Sequence, residues 1–164
     1  MALYEAHIDQ AKKNLRFLIE TNSNKSVHWD WQVTTCFYVA VHLANAHLAK
    51  VANLHYRTHE DVKNAISPNP MSIGQLPPSI YLSYAKLEGL SRRSRYLCHQ
   101  EPSNKEGADI AFFTYDKHFA KAIKNLDKVM EYFKNLYSID FGKLEVTCSD
   151  LNSSPYLVIF SVKK

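Results

Sequence analysis

Nineteen consecutive residues, Trp31 to Ala49, contain no Asp, Glu, Lys or Arg. A charge-free run of that length belongs either in lipid or inside protein. A membrane-spanning helix needs about 20 predominantly apolar residues. Here Gln32, Thr34, Thr35, His42, Asn45 and His47 interrupt the run. Polar side chains at that frequency suit a helix buried on most sides by other helices. The run therefore predicts a central helix, N-capped near Asp30, with Val33, Phe37, Ala40, Val41, Ala44 and Leu48 facing inward.

A central helix needs partners, and the remaining sequence supplies them. Residues 4–20 place Ile8, Ala11, Leu15 and Leu18 on one face. A short helix is expected over His59 to Ile66, with Glu60 and Asp61 in the first turn, where acidic side chains favour the positive end of the helix. Ser67 to Ser79 holds Pro68, Pro70, Gly74, Pro77 and Pro78, so it reads as an irregular loop. Such a length between elements marks either a surface excursion or a lid. The third long helix is expected from Ile80 to about His99, with Tyr84, Leu87, Leu90 and Leu97 in the core and Ser91 and Ser94 small enough for close approach. The fourth covers about Asp109 to Tyr137 and repeats Phe112, Phe119, Ile123, Leu126, Met130 and Phe133.

After Phe141 and Gly142 the pattern changes. Leu144–Cys148 and Tyr156–Val162 are rich in β-branched and aromatic residues and read as two strands of a hairpin. An isolated hairpin is marginal in water, so this tail is expected to pack on the bundle or to pair across a dimer. The predicted fold class is thus all-α: an antiparallel bundle of four long helices and one short helix over residues 1–140, extended by a small C-terminal β hairpin over 141–164.

The cysteines, Cys36, Cys98 and Cys148, are odd in number and scattered, which predicts reduced thiols. Glu5, Asp9, Lys12 and Lys13 interrupt the first fifteen residues, so no secretory stretch is read there, and a cytoplasmic location is expected. The net charge of +4 is too small to announce a polyanionic partner. Its distribution says more. Residues 81–100 carry Lys86, Arg92, Arg93 and Arg95 against Glu88 alone, and residues 117–134 carry five lysines against Asp127 and Glu131.

Arg92, Arg93 and Arg95 crowd ahead of His99. At about 100° per residue, Arg92 and Arg95 share a helix face with His99, while Arg93 points about a third of a turn away. Clustered guanidinium groups favour a neutral imidazole, the form that accepts a proton. An arginine fork also recognises phosphate through paired hydrogen bonds. RNA cleavage by its own 2′-hydroxyl requires a base, an acid and a cation for the developing charge, and no metal. The plain alternative is a solvated basic helix end.

Three stretches carry a resemblance: Ala11, Asn14-Leu15 and Phe17-Leu18; Trp31 with Phe37-Tyr38-x-Ala-x-His42; and Leu90-Ser91-Arg92-x-Ser94-Arg95-Tyr96. Over residues 4–137 the chain resembles HEPN-domain proteins. The resemblance implies an all-α bundle that dimerises, with many members acting as metal-independent endoribonucleases through Arg-x(4–6)-His motifs that meet across the dimer cleft. It also implies a possible toxin or defence role beside a nucleotidyltransferase-like antitoxin. Carried over, the catalytic residues are Arg92 or Arg93 with His99; Arg95 is too close to fit that spacing. The polar residue often found after the family's arginine is here Arg93 or Ser94. His42 and His59 also match positions that often hold histidine, which gives an alternative cleft of Arg95, His42, His59 and Tyr96. The partners expected are a second copy of the chain and RNA or a nucleotide, with no DNA and no membrane. The rival expectation is a non-catalytic HEPN module that binds a nucleotide or a protein.

No cofactor is expected, since the four glycines are scattered and form no phosphate loop. No metal is expected either. His42 and His47 project to different faces, a helix break separates His55 from His59, and His59-Glu60 lacks a second histidine. Cys98 and His99 are adjacent on a helix and point apart. Trp29, Trp31, Phe37, Tyr38 and Tyr84 are read as core aromatics rather than a base-stacking platform.

Overall fold

In a computed structural model of the chain, residues 4–24, 28–96, 115–151 and 157–163 are described. They form α1 (Tyr4–Ser23), α2 (Trp29–Ala52), α3 (His59–Ala65), α4 (Pro78–Tyr96), α5 (Tyr115–Tyr137), β1 (Leu144–Val146), a 3₁₀ turn (Ser149–Leu151) and β2 (Phe160–Val162). The fold is a helical bundle with a small C-terminal β element, in the class expected from the sequence. Leu97, Cys98, His99, the polar break at 101–107, the helix start at Asp109, Phe112 and Tyr156 lie outside the described residues.

The charge-free helix α2 is the centre. It packs against α1, α3, α4 and α5, and α4 packs against α5. Val33, Phe37, Ala40, Ala44 and Leu48 are fully buried, as the spacing predicts. Polar side chains that the pattern left unassigned are buried there too, and three of them, Thr35, Asn45 and His47, take structural roles. Thr35 Oγ1 donates to the Trp31 carbonyl at 2.7 Å, which returns a buried hydroxyl to its own helix. Asn45 donates to the Tyr56 carbonyl at 3.3 Å and accepts from the Tyr56 amide at 2.8 Å. That two-way clamp fixes the loop leaving α2, whose last turn closes on Asn53 at φ 54°. His47 contacts the Tyr137 hydroxyl at 2.6 Å and the Gly74 carbonyl at 3.2 Å. A carbonyl only accepts, so Nε2 carries the proton and Nδ1 accepts from Tyr137.

Helix starts differ from the expectations in two places. α2 begins at Trp29 with His28 at the cap position and no side-chain cap, so Asp30 sits in the first turn and acts through the helix dipole. α4 begins at Pro78 rather than Ile80, because a proline at the first helical position loses no hydrogen bond and brings φ preset for the helix. α3 starts as predicted, with Thr58 accepting from the Asp61 amide at 3.1 Å. The proline-rich loop is not a detached lid. Gly74 donates to the Ala65 carbonyl at 2.9 Å, and Leu76 donates to that of Ile66 at 3.2 Å. A Cβ on Gly74 would stand 2.5 Å from Leu48 Cδ2, so only glycine allows the loop to lie this close to α2.

The tail departs from the expected hairpin. β1 and β2 pair in parallel, with Leu144, Glu145 and Val146 opposite Phe160, Ser161 and Val162. A parallel pair cannot close through a tight turn and needs a longer connection; residues 147–159 separate the two strands in sequence. Two bundle residues set this topology. Asn22 on α1 accepts from the Thr147 amide at 2.6 Å and donates to the Thr147 carbonyl at 3.1 Å. Asp127 on α5 accepts from the amides of Val158, Ile159 and Phe160 at 2.9, 2.8 and 3.0 Å. Leu144, Val146, Cys148, Leu151, Ile159 and Phe160 join the same core as the helices.

Candidate functional site

On the helix wheel Arg92 and Arg95 of α4 stand apart from Arg93, and the structure separates them the same way. Arg92 and Arg95 act on α3, while Arg93 acts on α5. Arg92 is exposed and its charge is felt by Lys63. Lys63 bridges Glu88 of α4 at 2.7 Å, and that hydrogen bond raises the lysine pKa. Arg95 is half-buried; its Nε donates to the Ser91 carbonyl at 3.4 Å, which folds the side chain back along the helix. Burial and then the Arg95 charge lower the pKa of His59, against a weaker opposing effect from Glu88. Arg93, also exposed, faces the neighbourhood of His118 on α5. There burial, followed by Arg93 and Lys121, lowers the imidazole pKa.

His59 is held by aromatic walls. Its ring centre lies 5.0 Å from that of Phe37 and 5.7 Å from that of Tyr38, both edge-on. Phe37 in turn meets Tyr84 edge-on at 5.6 Å. Both walls come from α2, and the first turn of α3 delivers the histidine onto them. At neutral pH His59 is therefore uncharged, packed on one side, and beside a permanent cation. Such a pair can hold an anion with the guanidinium and accept a proton at the imidazole. The exposed Arg92 and the ammonium of Lys63 widen the positive field, and the carboxylate of Glu88, bridged to Lys63, opposes it.

The other residues expected at a site fall into place around this. Tyr96 is the last described residue of α4. His99 lies outside the described residues, so its alignment with Arg92 or Arg93 is untested. His42 meets His7 on α1. Its Nδ1 lies 3.3 Å from Nδ1 of His7, and the His7 ring centre lies 5.6 Å from that of His55. Burial, then the charge of His7, lowers the His42 pKa to about 4, and burial, then His55, lowers that of His7. His42 is one helical turn from Tyr38, so the His7 group and His59 flank the same strip of α2.

Among the aromatics read as core, Phe37 and Tyr84 are buried, and Trp29 rests 5.2 Å from Phe119. Trp31 is not core: it is 58% exposed. Position 31 precedes the enclosed part of α2, where burial begins at Gln32. Cys36 and Cys148 are buried free thiols, and burial raises the pKa of each, which makes them inert.

Sequence reasoning did not single out Lys63, Glu88, His118 or His7. Glu88 is four residues ahead of Arg92 on one face, a visible ion-pair spacing, yet its partner is on another helix. The remaining three required the packing of α1, α3 and α5 to be known. No helix among the described residues is long and apolar enough to cross a membrane. No family model, curated protein or solved structure matches the chain.

Proposed function

We propose that the chain is a HEPN-like protein that engages RNA at the C-terminal end of α4 and cleaves it without a metal. The observation that carries this reading is the setting of His59, walled by Phe37 and Tyr38 and within the field of Arg95, whose charge adds to burial in lowering the imidazole pKa. In the proposed reaction Arg92, or Arg93, holds the scissile phosphate. One histidine removes the proton of the 2′-hydroxyl, whose oxygen attacks phosphorus; the bond to the 5′-oxygen breaks, and a protonated histidine supplies that leaving oxygen with a proton. His59 suits the base because it is uncharged at neutral pH. His99, which the family spacing pairs with Arg92 or Arg93, then takes the acid role. The guanidinium groups offset the charge developing on the non-bridging oxygens.

A homodimer follows from the same reading, the two copies' arginine–histidine motifs meeting across a cleft. A toxin or defence role opposed by a nucleotidyltransferase-like antitoxin belongs to it as well. The test is to incubate the full chain with single-stranded RNA in EDTA, next to His99→Ala and Arg92→Ala. Cleavage lost in both variants supports the enzyme. Intact RNA with retained nucleotide affinity replaces it with a non-catalytic nucleotide-binding module.

A further inference from the structure

α1 and the segment that follows α5 enclose a cleft of about 340 Å³, none of whose residues takes part in the proposed RNA chemistry. That volume lies at the small end of ligand-binding pockets, which run from about 300 to 1,000 Å³. Its floor is apolar: Leu15 and Leu144 are buried, and Ile19 and Phe141 are half-buried against the same core. Three cations line it, Lys12 and Arg16 from α1 and Lys143 from the opposite wall. Positions 12, 15, 16 and 19 stand three and four residues apart, so one face of α1 carries both floor and charge. Among the described lining residues Glu20 is the only carboxylate, and three cations against one carboxylate leave an excess of two positive charges. Among the described residues none of the three cations forms an ion pair. The walls are fixed before any ligand arrives. Gly142 turns at φ 70°, with its amide donating to Asp140 Oδ1 at 2.8 Å, between Phe141 and Lys143. Past β1, the two-way hydrogen bonds of Asn22 with Thr147 tie the strand end to α1.

We propose that this cleft binds a small amphiphilic carboxylate, its hydrocarbon body lying on the apolar floor and its carboxylate held by Arg16, Lys143 and Lys12. Arg16 and Lys143 are exposed and Lys12 is half-buried, so the charges sit at the mouth and the apolar groups beneath them. Burying the body takes apolar surface of both partners out of water. The Arg16 guanidinium offers a carboxylate paired, charge-assisted hydrogen bonds, and the lysines act beside it as point charges. Neither half suffices alone. A neutral apolar ligand would take water from the cations and return no partner, and a bare anion at an exposed rim gains little. The size of the cleft limits the body to a short or medium chain.

The test titrates the full chain at pH 7.5 with octanoate, below its micelle concentration, by calorimetry and by NMR of the methyl groups. One equivalent is expected to bind per chain, with shift changes at the methyls of Leu15, Ile19 and Leu144. 1-Octanol keeps the body and lacks the charge, and should bind at least about tenfold more weakly. Acetate keeps the charge and lacks the body, and should show no measurable binding. Arg16→Ala combined with Lys143→Ala should weaken octanoate binding by about tenfold or more, and Ile19→Ala by about threefold or more. Lys117→Ala, which removes an exposed charge on α5, should leave binding unchanged. Each variant's Tm shows whether it folds. Absence of octanoate binding overturns the proposal, as does an affinity unchanged in the double variant. Equal affinity for 1-octanol, or shift changes that spare Leu15, Ile19 and Leu144, overturns it as well. None of these readouts involves RNA, so the outcome is independent of the cleavage assay.

Discussion

Asp127 is the carboxylate on which the tail's topology depends, so its removal is the sharpest structural perturbation. It is 3% exposed and accepts three successive backbone amides of the segment entering β2. Two of those amides, on Ile159 and Phe160, are buried, whereas Val158 is exposed. In Asp127→Ala the Val158 amide can turn to water. The two buried amides lose their acceptor, at about 1–3 kcal/mol each. The expected loss is therefore about 4 kcal/mol, or about 8–16 °C in Tm for a chain of this size. Asp127→Asn should cost less. Its amide oxygen can keep the two bonds made by Oδ1, and only its NH₂ group opposes the Val158 amide. Urea denaturation followed by circular dichroism gives the ordering wild type, Asn, Ala. An Ala variant within about 1 kcal/mol of wild type would refute the claim that Asp127 holds the tail on the bundle.

Other outcomes follow from the same geometry. Gly74→Ala should cost about 1–3 kcal/mol, because the new Cβ meets Leu48 Cδ2 and the loop must lift from α2; a urea midpoint equal to wild type would contradict that contact. Arg95→Gln should raise the His59 pKa, and Glu88→Gln should lower it further, both read from the imidazole proton shift in an NMR titration. Opposite signs would contradict the charge assignment around α3. Burial lowers the His47 pKa below 6.5, so below that pH the unfolded chain takes up a proton that the folded chain refuses. Stability is held above pH 6.5 and falls as pH drops below it. Urea midpoints at pH 7.5 and pH 5 should therefore differ less in His47→Gln than in wild type.

The helical core was legible because burial and period coincide. Ile8, Ala11, Leu15 and Leu18 of α1 are buried, and so are Phe119, Ile123, Leu126, Met130 and Phe133 of α5. A 3.6-residue repeat registers one apolar face regardless of what covers it. The hairpin was misread because strand composition does not encode direction. Direction here comes from Asp127 and Asn22, polar residues of distant helices, and Asp127 counted in the sequence only as a charge offsetting lysines. The divergence of Arg92 and Arg95 from Arg93 was visible on the wheel, since angular position depends only on spacing. The partners of those arginines were not, because Lys63, His59 and His118 reach them only through helix packing. Trp31 illustrates the limit of the charge-free run: absence of charge marks the helix that is enclosed, and leaves open the turn at which enclosure begins.

The proposed activity is phosphate chemistry driven by the RNA's own 2′-hydroxyl beside the arginines of α4. Its most direct test is end-group analysis of a labelled single-stranded RNA incubated with the full chain in EDTA, beside the same oligonucleotide with 2′-deoxy sugars. The expected result is cleavage of the RNA to 2′,3′-cyclic phosphate and 5′-hydroxyl ends, an inert deoxy oligonucleotide, and a loss of about a hundredfold or more in His99→Ala. Cleavage of both oligonucleotides, or an intact RNA at high protein concentration, would contradict it.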